Sequence, residues 1–233
     1  LLIHDVEDAQ IRRDDTLRSP KFVSDKGKLE QFDVVVANPP FSLKDWGADK
    51  WATDPHRRAI GGVPPSTKGD FAWVQHMIAS MRPVKGRVGV VMPHGVLFRG
   101  SSEAAIRQHL IENDMLEAVV GLAPNLFYGT TIPACLLFFR ATKDDERQGH
   151  VLFIDGAKRF TKGKNQNELS ESDVEDLFAV YKSNGTIEKA DIAARLVPHD
   201  EIAGNKWDLN IGRYLKTAAA EVVDVTMALA ALD

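Results

Sequence analysis

The chain has 233 residues, 44% hydrophobic and 27% charged, with a formal net charge of -4. That fits one generous domain or one domain with an appendage, and no apolar run approaches the ~20 residues of a membrane-spanning helix. The acidic balance argues against tight DNA binding by the chain alone, and the lone Cys135, set in an apolar run, excludes an internal disulfide and fits a reducing cytoplasm.

Leu1 to Asp5 shows neither a basic leader nor a long apolar stretch, so no export signal is read there. There is no internal repeat or low-complexity tract. Phe32-Asp33-Val34-Val35-Val36-Ala37 is a β-branched run that stops at Asn38-Pro39-Pro40 and predicts a buried parallel strand. Residues 42–67, rich in Gly, Pro, Trp and charge, lack periodicity and read as a functional loop. Trp46 and Trp51 are expected to pack that loop onto the domain. Asp70 is placed as a helix N-cap, ahead of Phe71, Val74, Met77, Ile78 and Met81 at helical spacing, with Pro83 closing the helix. Val88–Met92 is the next strand. Ser101 or Ser102 caps a second helix bearing Ile106 and Leu110, with Glu103 and Arg107 as an i,i+4 pair. Leu116–Val120 and Ala134–Phe139 follow as strands, separated by a loop holding Pro124, Gly129 and Pro133.

This alternation predicts an α/β fold, a mostly parallel sheet with helices on both faces, whose ligands bind beyond the carboxyl ends of the strands. Past residue 140 the chain turns more polar. Val151–Ile154 reads as a short strand, Ser170 with Asp173 as a capping box, and Val174, Leu177, Phe178 and Tyr181 as a helical stripe. An alanine-rich helix is expected from about Lys216. The organisation is read as residues 1–140 plus a small α/β appendage, residues 141–233, that docks to partners.

The sharpest signal is Asn38-Pro39-Pro40-Phe41 directly after an apolar strand. Two prolines fix φ and restrict the residues before them, so Asn38 and Pro39 form a stiff corner. Such a corner can aim the Asn38 side-chain oxygen and a proline carbonyl at one point, where an exocyclic amine donates both its hydrogens. The nitrogen lone pair then faces an incoming methyl group, through positioning and electrostatics alone. Phe41 offers a flat face for a base taken out of a duplex. A rigid turn is the plainer meaning of Pro-Pro.

Asn-Pro-Pro followed by an aromatic resembles the catalytic motif of amino-methyltransferases that act on adenine, on cytosine or on protein glutamine. The wider resemblance is to the methylation subunits of type I restriction–modification systems. It is carried by Asp33–Ser42, Gly69–Ile78, Val90–Gly100, Leu116–Pro133 and Val151–Leu169, and covers nearly the whole chain. The resemblance implies a partial class I S-adenosylmethionine-dependent methyltransferase sheet, Rossmann-like, lacking its first strands. It implies methylation of the 6-amino group of adenine in double-stranded DNA. Partners implied are a specificity subunit and a motor-nuclease restriction subunit. Asn38, Pro39, Pro40 and Phe41 would be catalytic. Asp15-Thr16-Leu17 resembles the family's Gly-Asp-Thr-Leu segment, with Asp14 in place of the glycine, so Asp15 and Thr16, with Asn38, would border the cofactor. Phe127 and Tyr128 lie where related enzymes place a second aromatic against the base; buried core aromatics are the alternative.

No Phe-x-Gly-x-Gly precedes residue 38, so the main cofactor loop is expected N-terminal to this chain, a fragment inactive in isolation. Lys158, Arg159, Lys162 and Lys164 form a basic cluster without an acid, either a solvated loop or a set of DNA-backbone contacts. The glycines around it lack the spacing of a phosphate loop. The histidines and the cysteine show no metal-ligand spacing, and His94 reads as a structural residue at a strand end. Two alternatives stand beside this reading: an inert interaction or DNA-binding module, and a related amino-methyltransferase acting on protein glutamine or cytosine.

Overall fold

A computed structural model of the chain describes residues 9–127 and 131–215; Tyr128 and the helix expected from about Lys216 lie outside them. In chain order the strands are β1 (Val34–Ala37), β2 (Arg87–Pro93), β3 (Leu116–Gly121), β4 (Ala134–Arg140), β5 (His150–Asp155), β6 (Thr161–Lys162), β7 (Asn167–Glu168) and β8 (Ala193–Pro198). The helices are α1 (Ala48–Trp51), α2 (Asp70–Ala79), α3 (Ser102–Glu112), α4 (Glu171–Lys182), α5 (His199–Gly204) and α6 (Ile211–Tyr214).

Six strands form one sheet in the order β1-β2-β4-β3-β5-β8, and β6 and β7 make a separate small hairpin. β1 pairs parallel with β2, and β3 with β5, while β4 and β8 run antiparallel to their neighbours. β1, β2, β3 and β5 therefore point one way, and their carboxyl ends line one rim. All six residues of β3 are buried, as a strand covered on both faces requires. Residues beyond 140 continue this sheet through β5 and β8.

The alternating side chains build two cores. On one face Val88, Val90, Met92, Val119, Leu137, Phe139 and Phe153 pack with Phe71, Val74, Ile106, Leu110, Ile202 and Tyr214 of α2, α3, α5 and α6. On the other, Ala118, Val120, Leu152 and Ile154 are covered by Leu177 and Val180 of α4. Helices thus occupy both faces, but α4 stops short of β1 and β2. An apolar groove of about 570 Å³ remains there, lined by Val34, Val36, Phe138, Leu177 and Phe178 among others.

Four local expectations are corrected. β1 is parallel but not buried: it is the sheet edge, with Val34 53% and Val36 73% exposed. A β-branched run reads the same with one neighbour as with two. Asp70 is not the N-cap; Gly69 is, and Asp70 opens the helix with its carboxylate turned elsewhere. Ser101 holds the N-cap position of α3 at φ 56° without a side-chain cap, and Glu103 pairs with Arg99 rather than Arg107. Arg107 instead donates to the carbonyls of Val96, Arg99 and Trp207. In α4 the capping box forms between Ser170 and Asp173. Its buried stripe, however, is Leu177 with Val180, because Val174 and Phe178 face the open groove.

Candidate active site

The chain leaves β1 at Ala37 and turns through Asn38-Pro39-Pro40-Phe41 at the carboxyl rim. Asn38 and Pro40 are exposed, Pro39 is buried, and Phe41 is half-buried. All described peptide bonds are trans, so the bend comes from the fixed φ of two prolines in sequence. Buried Pro39 anchors the corner while the asparagine amide stands in solvent. Among the described residues no hydrogen-bond partner occupies that amide.

The corner is held from its far side. Ser42 has φ 52°, in the left-handed region that non-glycine residues rarely adopt, and its backbone N–H donates to Asp70 Oδ1 at 2.7 Å. Asp70 Oδ2 pairs with Arg99, in the loop after β2, and Arg99 also grips Glu103 with two nitrogens. Asp70 and Glu103 are 1% exposed. Two carboxylates thus share one guanidinium beneath the rim, with Arg107 buried beside them. Sequence reasoning missed this network; the alternation of Gly69-Asp70 with an apolar helix looked like a cap.

The loop after the corner is packed. Trp46 and Trp51 are 2% exposed and meet edge to face, with centroids 5.0 Å apart. Their indole N–H groups donate to the Pro65 carbonyl and to Gln75 Oε1, each at 2.9 Å. Arg58 is the buried hub: it pairs with Asp54 at 2.8 Å, stacks on Trp51, and donates to the carbonyls of Thr16 and Leu17. Its Nη1 also meets His76 Nδ1 at 3.1 Å. An arginine can only donate, so Nδ1 accepts and the ring is neutral. Burial first, then the Arg58 charge, push the His76 pKa down to about 4.

The Asp15-Thr16-Leu17 segment meets this loop through Leu17, which packs with Trp46, Trp51 and Ala72. Asp15 Oδ1 accepts from the N–H groups of Leu17 and Arg18, each at 3.0 Å, and so closes its own turn. Thr16 lines a cavity of about 560 Å³ with Val35 and His76, and Asn38 is not among its walls.

Farther along the rim, Phe127 follows β3 and packs against the α4-side core. Among the described residues it makes no ring contact with Phe41. His94 sits at the end of β2, its backbone N–H bonded to the Pro133 carbonyl and its ring half-buried, with burial lowering its pKa. Lys158, Lys162 and Lys164 are exposed after β5, while Arg159 is held by Asp173 at 2.9 Å and by Asp176. The β6–β7 hairpin that bears Lys162 is pinned to the Pro124–Asn125 loop by Asn167, through backbone N–H and side-chain amide at 2.8 Å each. Four inter-strand steps separate β1 from β5, about 19 Å along the rim.

The sheet is mixed rather than mostly parallel as the alternation suggested, because β4 inserts antiparallel between β2 and β3 and β8 adds antiparallel to β5; with helices on both faces and a proline-locked asparagine at a carboxyl end, it forms part of a class I methyltransferase fold. A type I restriction–modification methyltransferase subunit from Streptococcus thermophilus superimposes with a TM-score of 0.75 at 35% identity, over 85% of this chain and 40% of that one. The MjaVII type I methylase subunit of Methanocaldococcus jannaschii is 34% identical over 226 residues, 92% of this chain and 37% of that protein. The HindI methylase subunit of Haemophilus influenzae is 32% identical over 213 residues, 89% of this chain and 46% of that protein. Residues 1–222 match the N-6 DNA Methylase family. The chain belongs to that family, and it spans less than half the length of these relatives.

Proposed function

We propose that this chain forms the acceptor side of a DNA N6-adenine methyltransferase, the modification subunit of a type I restriction–modification system. The observation that carries the reading is the Asn38 amide, solvent-facing and unpartnered above a buried Pro39 at the sheet's carboxyl rim. An adenine swung out of the duplex would set its 6-amino group between the Asn38 oxygen and a proline carbonyl and give each one hydrogen. Those two bonds draw the nitrogen toward tetrahedral geometry and free its lone pair for attack. Phe41 would stack on the base, with Phe127 and Tyr128 as candidates for its other face. S-adenosylmethionine supplies the methyl group, bound chiefly by parts of the subunit beyond Asp15 and Thr16.

Lys158, Lys162 and Lys164 are the proposed contacts to the DNA backbone; Arg159, tied to α4, would brace them. Double-stranded DNA, a sequence-reading specificity subunit and a motor-nuclease subunit are the partners in this reading, with residues 141–233 docking to the subunits. No helix among the described residues is long and apolar enough to cross a membrane, and a cytoplasmic site of action is proposed. The isolated chain is expected to give no measurable heat with S-adenosylmethionine in calorimetry.

The test uses the full-length subunit assembled with its specificity subunit. Asn38→Ala should lower methyl transfer by about 10²–10³-fold, as loss of one transition-state hydrogen-bonding group does, and leave DNA affinity intact. An unchanged rate would remove Asn38 from the chemistry.

A further inference from the structure

We propose that Asp70 and Arg99 are positioning residues that hold the Asn38–Phe41 corner at a set distance from the loop after β2; this rests on the reading of Asn38 as the amine-binding group. Ser42, the residue directly after Phe41, sits at φ 52°, a strained conformation for a non-glycine residue that persists only where its surroundings hold it. The imposing group is the Asp70 carboxylate, which accepts the Ser42 N–H at 2.7 Å. Its other oxygen is held by Arg99, whose Nη2 also meets Glu103 Oε1 at 2.8 Å. Arg99 is fixed in turn, because its carbonyl accepts from Arg107 Nη1 at 2.8 Å, as the Val96 carbonyl does at 3.0 Å.

These contacts join two loops that leave adjacent parallel strands. Ser42 follows β1 and Arg99 follows β2, and a ligand at the carboxyl ends of an open sheet lies beside such loops. Backbone hydrogen bonds tie β1 to β2 only as far as Ala37 and Val90. Beyond that register the Asp70 carboxylate bridges the two loops. Its charge is balanced locally: buried Asp70 and Glu103 pair with the partly buried Arg99, with buried Arg107 beside them. Among the described residues the hydrogen bond of Asp70 to the corner is the one it accepts from the Ser42 backbone N–H, so it acts through that backbone.

The experiment again takes the full-length subunit with its specificity subunit, at a temperature where circular dichroism shows every variant folded. Asp70→Ala should lower kcat about tenfold to a hundredfold with KM for DNA within about threefold, since misplacing a reacting group by ~1 Å has effects of that size. Asp70→Glu keeps the charge and the ion pair but moves the acceptor by one methylene. It should lower kcat in the same way, and it serves where the alanine variant does not fold. Ser42→Gly, which adopts positive φ without strain, should restore at least tenfold of the kcat lost in Asp70→Ala. In a duplex carrying 2-aminopurine at the target position, fluorescence should report altered stacking of the extruded base in Asp70→Ala and its recovery in the double variant. Wild-type kcat in both Asp70 variants, or no recovery with Ser42→Gly, would overturn the positioning role. Asn38→Ala is the parallel control. If it too keeps full activity, the reading of the corner fails; if it alone loses activity, only the role of Asp70 does.

Discussion

Glu117 offers a demanding test of how the sheet is held together. Its side chain is 2% exposed on β3; Arg147 Nη1 donates to it at 2.9 Å and the Tyr181 hydroxyl at 2.8 Å, and Arg140 Nε forms an ion pair with it at 2.9 Å. One carboxylate therefore ties β3 to β4, to the turn at residues 145–147 and to α4. Glu117→Ala leaves two guanidinium groups without their shared counter-charge. Removing one partner of a buried ion pair costs about 3–5 kcal/mol. Arg147 keeps the Asn184 side chain and the Tyr181 carbonyl, and Arg140 keeps Asp144 at 3.6 Å, so the low end, about 3 kcal/mol, applies. For a chain of this size each kcal/mol moves Tm by ~2–4 °C, which makes the expected fall about 6–12 °C. Differential scanning calorimetry measures the shift, and urea titration should show a lower midpoint with an unchanged slope. Glu117→Gln, which keeps an acceptor for Tyr181, should fall less. A Tm within about 2 °C of the parent for Glu117→Ala would refute the argument, because the carboxylate would then contribute no more than an exposed pair.

Further expectations concern titration, reactivity and DNA contact. The folded protein holds His76 neutral down to about pH 4, whereas the unfolded chain protonates it from near 6.5. The unfolded state therefore binds more protons across that window, and stability falls as pH drops from about 6.5 to about 4, by up to ~3 kcal/mol. His76→Gln should flatten the urea-midpoint profile between those pH values, and an unchanged profile would contradict the assignment. Cys135 is fully buried and burial pushes its thiol pKa up, so alkylation by iodoacetamide should wait for unfolding; labelling at the native rate of an exposed thiol would show otherwise. In the assembled enzyme, Lys162→Ala with Lys164→Ala should make the slope of log K against log salt shallower by about 1.8, two phosphate contacts' worth. An unaltered slope would return these lysines to the solvated surface.

The strand–helix alternation could be read because it is written in apolar periodicity: the runs at Val88–Met92, Leu116–Val120, Ala134–Phe139 and Val151–Ile154 all became strands of one sheet. Where the reading failed, the deciding partner lay outside the segment being read. Glu103 and Arg107 have helix spacing, yet Glu103 turns back to Arg99 and Arg107 reaches the Trp207 carbonyl, a hundred residues away. Asp70 resembled a cap because Asp before an apolar stripe usually is one, and its true partners are Ser42 and Arg99.

The Asn-Pro-Pro bend was readable at once, since proline limits φ through covalent geometry and needs no neighbour. The apolar cores were equally legible, because burial follows the spacing of side chains along each element. What stands beside β1, which cation each buried acid meets, and which of the four basic side chains near Gly163 stays free are different matters. Each depends on where distant segments come to rest in space, and a charge will pair with whatever packing delivers to it. Chain-local pattern carries no record of that delivery.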